Sequence, residues 1–415
     1  MKNITTFLSQ LLLYWKRSKR SFYTLIPLVL LCLLAYNTFT IFFCTNLPSF
    51  PAKNPPEPLP PPSQNSTKQR FHISRKNQIS TMPTNITAIY RPKRRTRQSQ
   101  RRALEILSSS KDVAKRFEAR VEKFFRASSK CESRFFMTWI SSVESFGERE
   151  MFSMESLFKA HPNGCLIIVS RSMDSRNGLR ILRPFLKKGF KVTAISPDFN
   201  YLFKKTEAQA WYNRLKHGDI NPGLISLGQN LSNLLRIGLL YRFGGIYLDT
   251  DIIVLKSFSE LKNVIGAQTV DQVTGKWSRL NNAVMIFDKG HPLLLEFINE
   301  FAKTFNGNKW GHNGPYLVSR VVSRVSGNIM NTGYNFTVLP PMAFYPVGWR
   351  RIGSLFEGPK SLSHSKWLVA KIRQIRRQSF GVHLWNKQSR KFKVEKGSVI
   401  QHILFSSCVF KNCSS

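Results

Sequence analysis

The chain has 415 residues, with 63 Lys and Arg against 23 Asp and Glu, a formal net charge of +40 and 42% hydrophobic residues. Length alone allows about two to three average domains. The charge alone would fit a soluble nucleic-acid binder, a class that the first fifty residues exclude.

Residues 1–20 form a short tail that ends in Lys16, Arg17, Lys19 and Arg20. From Ser21 to Ala52 there is no Asp, Glu, Lys or Arg, and Phe22–Cys44 reads FYTLIPLVLLCLLAYNTFTIFFC. At about 1.5 Å per residue this run crosses a hydrocarbon core of roughly 30 Å. Cations precede the run and none follows it before Lys53, so the positive-inside bias leaves the N-terminus cytosolic and everything after residue 45 across the membrane. A cleaved signal peptide is the alternative, but the run is too long for one and lacks a small-x-small site. The segment 21–44 is therefore read as an uncleaved transmembrane signal anchor.

Residues 45–130 read as a largely disordered stem. Eight of the fifteen residues in PSFPAKNPPEPLPPP (48–62) are proline, which makes an extended, semi-rigid stalk. The basic run RPKRRTRQSQRR (91–102) has no nucleic acid to meet in a lumen. It reads as a solvated tract, or as one with affinity for anionic membrane heads or acidic polysaccharide, and RPKR also suits a basic-site processing protease. Val113, Phe117, Val121 and Phe124 recur at helical spacing and predict a helix near the end of the stem.

Cys32 and Cys44 fall in or at the end of the anchor, whereas Cys131, Cys165, Cys408 and Cys413 fall where disulfides persist. Four cysteines allow three pairings; Cys131–Cys165 with Cys408–Cys413 is preferred because each closes a local loop. Zinc is the rival, but no C-x-x-C is present. Sequons at Asn65, Asn85, Asn335 and Asn412 suit a secretory location, while the one at Asn230 falls inside a predicted helix and is not expected to carry glycan.

From Cys131 the composition is globular, and 131–415 reads as one catalytic-sized domain. RFFMTWISS (134–142), CLIIVS (165–170) and FKVTAIS (190–196) predict buried strands, with helices over MFSMESLFKAHP and NGLRILRPFLKKG between them, the second closed by Gly189. This alternation indicates an α/β fold with a mostly parallel sheet.

Ile225–Tyr241, ISLGQNLSNLLRIGLLY, predicts a helix with an apolar stripe of Leu227, Leu231, Leu234, Leu235 and Leu239. Gln229, Asn233 and Arg236 share another face. Gly244-Gly245 ends the helix, and the chain enters IYLDTDIIVL. Read as one buried strand, this stretch projects Asp249 and Asp251 to the same side. Two neighbouring carboxylates repel, so a cation must compensate, and oxygen ligands with open positions suit Mn²⁺ or Mg²⁺. A surface turn with two solvated carboxylates is the alternative.

LSNLLRIGLLYRFGGIYLDTDIIVLKSF closely resembles the DXD sugar-binding region of the α-1,4-glycosyltransferase family of Golgi enzymes, most of all its plant members. The resemblance continues through GAQT, LNNAVMIFDKGHPLL, KWGHNGPYLVSRV and FTVLPPMAFYPVGW, over nearly all of 131–415. It implies a GT-A fold, with a mixed, mostly parallel sheet flanked by helices. It also implies a hexose transferred from a nucleotide sugar, most often UDP-linked, to a glycan or glycolipid, with α-linkage and retention. Asp249 and Asp251 match the metal-holding DXD carboxylates, and Arg236 matches an arginine that reaches donor sugar or phosphate. Asn233 stands where the pattern often has an aspartate; it can still bond a sugar hydroxyl without charge, which bears on donor identity more than on activity. His383 in GVHLWNK falls where several such enzymes supply a late metal ligand, with Lys387 near the diphosphate.

In WGHNGP (310–315), His312 and Asn313 are candidate catalytic groups, and Trp310, Gly311 and Gly314 candidate acceptor-side residues. Each has a bland alternative, a structural histidine for His312 and core filling for Trp310. Trp139, Tyr247 and Asn282 complete the substrate-binding set, and Asp271 and Asp288 are the nearest nucleophiles in sequence for a double displacement. The expected setting is a single-pass type II Golgi membrane protein with a lumenal catalytic domain and no nucleic-acid partner; a homo- or hetero-oligomer is left open. A family-derived lumenal scaffold or glycan-binding protein without catalysis is the rival.

Overall fold

The computed structural model describes residues 116–127, 131–327 and 333–410. The segments read as cytosolic tail, anchor and proline-rich stem lie outside the described residues. Among the described residues no helix is long and apolar enough to cross a membrane.

The first half runs α1 (Phe117–Ala127), β1 (Ser133–Thr138), α2 (Glu148–Ala160), β2 (Gly164–Val169), α3 (Arg176–Lys187), β3 (Lys191–Ile195), α4 (Phe199–Phe203), α5 (Glu207–His217) and α6 (Leu227–Phe243). There follow β4 (Gly245–Leu248), β5 (Ile252–Val254), β6 (Val264–Val270), β7 (Trp277–Phe287), α7 (Pro292–Thr304), α8 (Pro315–Ser326) and β8 (Thr337–Leu339). The last elements are α9 (Leu362–Gln378), β9 (Gly381–His383), α10 (Asn386–Ser389) and α11 (Val399–Ser407).

The main sheet has the order β3-β2-β1-β4-β7-β6-β8. β1, β2, β3 and β4 are mutually parallel, as are β6 and β8, while β7 runs against both of its neighbours. The predicted mixed, mostly parallel sheet is therefore present. Its strands are apolar without alternation because both faces are covered. Phe136, Ile167, Tyr247 and Met285 pack on the side of α1 and α4–α8. Phe135, Leu166, Ile168, Leu248 and Val284 pack on the side of α2 and α3. A smaller core gathers β5, β9, α9 and α11 through Ile253, Val382, Leu368, Ile375 and Ile403.

The helix expected near the end of the stem is α1. Its buried stripe is Phe117, Val121 and Phe125, spaced by four, and Phe124 is only partly covered. Arg120 binds Asp174 through two hydrogen bonds of 2.7 and 2.8 Å, and Asp174 also accepts from the Ser196 N–H. Burial works against the Asp174 charge, but these donors overcome it and hold its pKa below the usual value. Cys131 and Cys165 form the expected disulfide, which joins the entrances of β1 and β2. Cys408 is also disulfide-bonded; its expected partner Cys413 lies outside the described residues.

One expectation fails at the centre of the molecule. IYLDTDIIVL is not one strand: β4 ends at Leu248, and β5 belongs to a separate two-stranded sheet with β9. The intervening Asp249-Thr250-Asp251 is a turn closed by the Ile252 N–H on the Asp249 carbonyl at 3.1 Å. Apolar runs flank Asp-Thr-Asp on both sides, and their pattern does not show that they enter different sheets because β5 is as buried as β4. Upstream, Gly244 caps α6 at φ 66°, and Gly245 follows at φ 109° with no room for a Cβ, which would lie 2.6 Å from the Arg134 carbonyl oxygen. Only Gly-Gly carries the chain from the helix straight into the sheet.

Candidate active site

A cleft of about 960 Å³ opens beyond the C-terminal ends of β1 and β4, where open α/β sheets bind ligands. Its floor comes from α6, the 249–251 turn and β7. Arg236, almost fully buried, donates to Asp249 Oδ2 at 3.2 Å, approaches Oδ1 at 3.0 Å and donates to the Asn282 carbonyl at 2.8 Å. Ser232 takes two more of its donors. The guanidinium lies 4.5 Å from the centre of the Tyr247 ring. Burial opposes the Arg236 charge, but the Asp249 carboxylate outweighs it and raises the pKa. Tyr247 is wholly buried; its hydroxyl donates to Asp249 Oδ1 at 2.8 Å and meets Thr138 Oγ1 at 2.8 Å, and burial raises its pKa. Tyr247 thus aims Asp249 from behind rather than lining the cleft.

Asp251 is held differently. Its Oδ2 accepts the Asn386 N–H at 2.8 Å, and its carbonyl accepts the Leu384 N–H at 2.9 Å. Oδ1 is turned toward His383 Nε2 at 3.5 Å, while His383 Nδ1 accepts the Trp385 N–H at 3.1 Å. Asp249, Asp251 and His383 each bring one ligand atom within 4.8 Å of the others. Two carboxylates and an imidazole fit the donor set of a divalent cation such as Mn²⁺ or Mg²⁺, with oxygen ligands dominating.

The segment 383–390 is anchored from α2. Glu150, 3% exposed, bonds Asn386 Nδ2 and pairs with Arg390. Arg149 donates to Asn386 Oδ1, Ser389 Oγ and the carbonyls of Ser389 and Phe392. Arg149 is pushed to a lower pKa by burial and then by Arg390.

Amides cover the far wall. Asn282 Nδ2 donates to Asn233 Oδ1 at 3.0 Å, and Asn281 Nδ2 to Gln268 Oε1 at 3.0 Å. Gly314 makes the Asn233 position possible, since a Cβ there would lie 2.6 Å from Asn233 Oδ1. The rim carries Trp310, Tyr316 and Trp349, all substantially exposed. Each has a cation against its ring, Lys387 Nζ at 2.9 Å, Arg279 at 4.4 Å and Arg350 at 5.1 Å from the ring centres. Burial in the wall lowers the Lys387 pKa.

Of the residues singled out from sequence, Trp139, Asn233, Arg236, Asp249, Asp251, Asn282, Trp310, Gly311, His383 and Lys387 line this cleft. Trp139 is mostly buried, with its Nε1–H on the Ser142 carbonyl and its ring edge-on to Phe146. His312 and Asn313 do not line it, which corrects their assignment as catalytic groups. His312 Nε2 meets the Thr304 carbonyl at 2.8 Å. Asn313, 1% exposed, is spent on Asn306 and on Asn230 Oδ1. Both close their own loop because its turns leave backbone groups that only local side chains can satisfy. Asn230 is itself buried, 3% exposed, which leaves no room for a glycan on its side chain in the folded protein. Asp271 caps an exposed turn at Thr274, and Asp288 bonds Asn263 at the opposite end of β7, so neither nucleophile candidate reaches the cleft. Gln268, Arg279, Tyr316, Trp349 and Asn386 carried no sequence signal as site residues; β6–β7 place the first two, the start of α8 places Tyr316, the loop after Pro346 places Trp349 and the 383–390 turn places Asn386.

Paired carboxylates, an imidazole and a buried arginine at the mouth of a parallel α/β crevice form a group that could hold a divalent cation. Residues 147–271 match the model for a glycosyltransferase sugar-binding region containing a DXD motif, and 286–413 match the alpha 1,4-glycosyltransferase conserved region. An uncharacterized protein of Arabidopsis thaliana is 31% identical over 296 residues, which is 70% of this chain and 44% of that one. Human lactosylceramide 4-alpha-galactosyltransferase is 32% identical over 262 residues, 60% of this chain and 67% of its own length. Human alpha-1,4-N-acetylglucosaminyltransferase is 25% identical over 253 residues, 57% and 66% of the two chains. The chain thus spans less than half of the Arabidopsis relative and about two thirds of the human ones. It belongs to the α-1,4-glycosyltransferase family.

Proposed function

We propose that the protein is a type II Golgi membrane enzyme of GT-A architecture that transfers a hexose from a nucleotide sugar, UDP-linked, to a hydroxyl of a glycan or glycolipid. The observation that carries this reading is the convergence of Asp249, Asp251 and His383 beside the buried Arg236. These three side chains would hold Mn²⁺ or Mg²⁺, which supplies charge neutralisation to the leaving diphosphate. The chain's own residues do the rest. Arg236 and Tyr247 fix Asp249, and Asn386 and His383 fix Asp251, so neither carboxylate must reorganise when ligand arrives. Lys387 adds positive charge at the wall. Asn233, Asn282, Gln229 and Gln268 offer neutral donors and acceptors to sugar hydroxyls.

The names of the two human relatives support an α-1,4 linkage. Among the described residues, the cleft lining contains no carboxylate beyond the pair, so a covalent glycosyl-enzyme has no nucleophile of its own here. This favours same-face substitution: the acceptor oxygen bonds to the anomeric carbon as the bond to phosphate breaks, and the hydroxyl proton passes to the leaving phosphate oxygen.

The test is release of UDP from UDP-hexoses by the purified full chain with lactosylceramide or a simple glycoside, with and without Mn²⁺. A thermal-shift panel of UDP, GDP and their sugars runs alongside, with Asp251→Asn as control. Metal-dependent turnover of one donor supports the reading. No turnover and no metal-dependent shift with any donor would overturn it in favour of a lumenal scaffold.

A further inference from the structure

Helix α9 is the least covered long helix of the C-terminal half. Of its 17 residues only Leu368 and Ile375 are buried. Its outward side carries Leu362 and Val369, 75% and 46% exposed, while Trp367, 41% exposed, lies on the flank against the His364 ring. Lys366, Arg373, Arg376 and Arg377 stand among them, and the helix contains no acid. None of these four cations has a carboxylate partner among the described residues. The flank that bears Trp367 and Lys371 leads toward the cleft. Lys371 Nζ donates to the Pro346 carbonyl at 3.4 Å, and that segment leads to Trp349 on the rim, whose ring carries the Arg350 guanidinium. In the whole stretch from Trp349 to Gln378 the one acid, Glu357, is paired with Lys360.

We propose that this face of α9, with Arg350 and Arg351, is a docking surface for an anionic lipid bilayer and brings the mouth of the cleft to the membrane. Unpaired cations complement acidic headgroups, and two exposed aliphatic side chains among them, with a tryptophan on the flank, match the interfacial zone. A soluble polyanion would satisfy the cations but leave Leu362, Trp367 and Val369 in water, so the bilayer is the better complement. The inference rests on the anchor reading of Phe22–Cys44, which would keep the folded part within reach of a lipid surface, and it narrows the acceptor to one presented there.

The experiment is hydroxyl-radical footprinting of the full chain reconstituted in nanodiscs of phosphatidylcholine alone or of phosphatidylcholine and phosphatidylserine in equal parts. Oxidation of Trp367 and Leu362 should fall roughly threefold or more in the anionic discs and recover in high salt. Val273, 94% exposed in the β6–β7 turn, should not change. The triple variant Arg373→Glu, Arg376→Glu, Arg377→Glu should lose the protection; all three side chains are exposed, and the salt titration decides the matter should that variant fold poorly. Equal oxidation in the two discs overturns the proposal, as does equal protection by heparin in neutral discs, which would mark a polyanion site. Retention in neutral discs reports the anchor separately. A chain that is not retained refutes that reading, and free anionic vesicles then test the helix on the same readout.

Discussion

The floor and the rim of the cleft are built on opposite principles. The floor is charged and nearly closed: Arg236, Asp249, Tyr247, Thr138 and Ser232 satisfy one another, and each is fixed by at least one further element. The rim is aromatic and more open, with Trp310, Tyr316 and Trp349 each against a cation and 38–47% exposed. A buried charge network costs much to break because its survivors stay behind unpaired. A half-exposed ring gives up little stability when removed and contributes chiefly to what the cleft grips.

The sharpest way to break the contrast is Arg236→Ala. It leaves Asp249 facing Tyr247 without its counter-charge and should cost about 3 kcal/mol or more. That corresponds to a melting temperature lower by on the order of 10 °C, measured by calorimetry. Arg236→Lys should recover part of the stability but not the two-pronged contact.

Asp251→Asn should separate chemistry from folding. The Asn386 N–H still finds an acceptor, so the melt should barely move while donor turnover falls on the order of 10²-fold or more. Comparable losses in both would show that the floor is a structural strut.

A third test reaches behind the floor. His161, packed against Phe135 and Phe258, accepts the Phe258 N–H at Nε2, and burial depresses its pKa to about 4. Its contribution to stability is therefore intact above about pH 6.5, the unfolded value, and is lost as pH falls through about 4. Stability should drop by on the order of 2–3 kcal/mol across that window, and His161→Gln should flatten the slope in a pH series of thermal melts. The smallest effect belongs to the rim. Trp310→Ala should change stability by less than about 1 kcal/mol, yet raise the apparent KM for one substrate, read from initial rates.

Much of the floor was legible in the sequence because helical periodicity is a strong signal. Gln229, Asn233 and Arg236 at helical spacing do converge on one cleft, and Gly244-Gly245 does end that helix. The aspartates were found, but not their turn, since the apolar runs on either side read alike whether they continue one strand or enter two buried sheets. Loops were read worst. His312 and Asn313, set between glycines, look like ligand groups, yet side-chain direction in a loop obeys no period, and both are consumed by neighbouring backbone. Gln268 and Arg279 were invisible because an edge-side register follows from bulges in β6–β7 that no local pattern announces.

The change of sheet at 249–251 has a mechanical corollary. Asp249 is welded to the large sheet and Asp251 to the small one, and the turn between them acts as a joint. A ligand gripping both carboxylates spans that joint like a rivet. It therefore measures the alignment of two layers, and its grip slackens when they shear. By reciprocity, filling the site stiffens the joint, so the segments on either side of it should melt as one body when loaded and in sequence when empty.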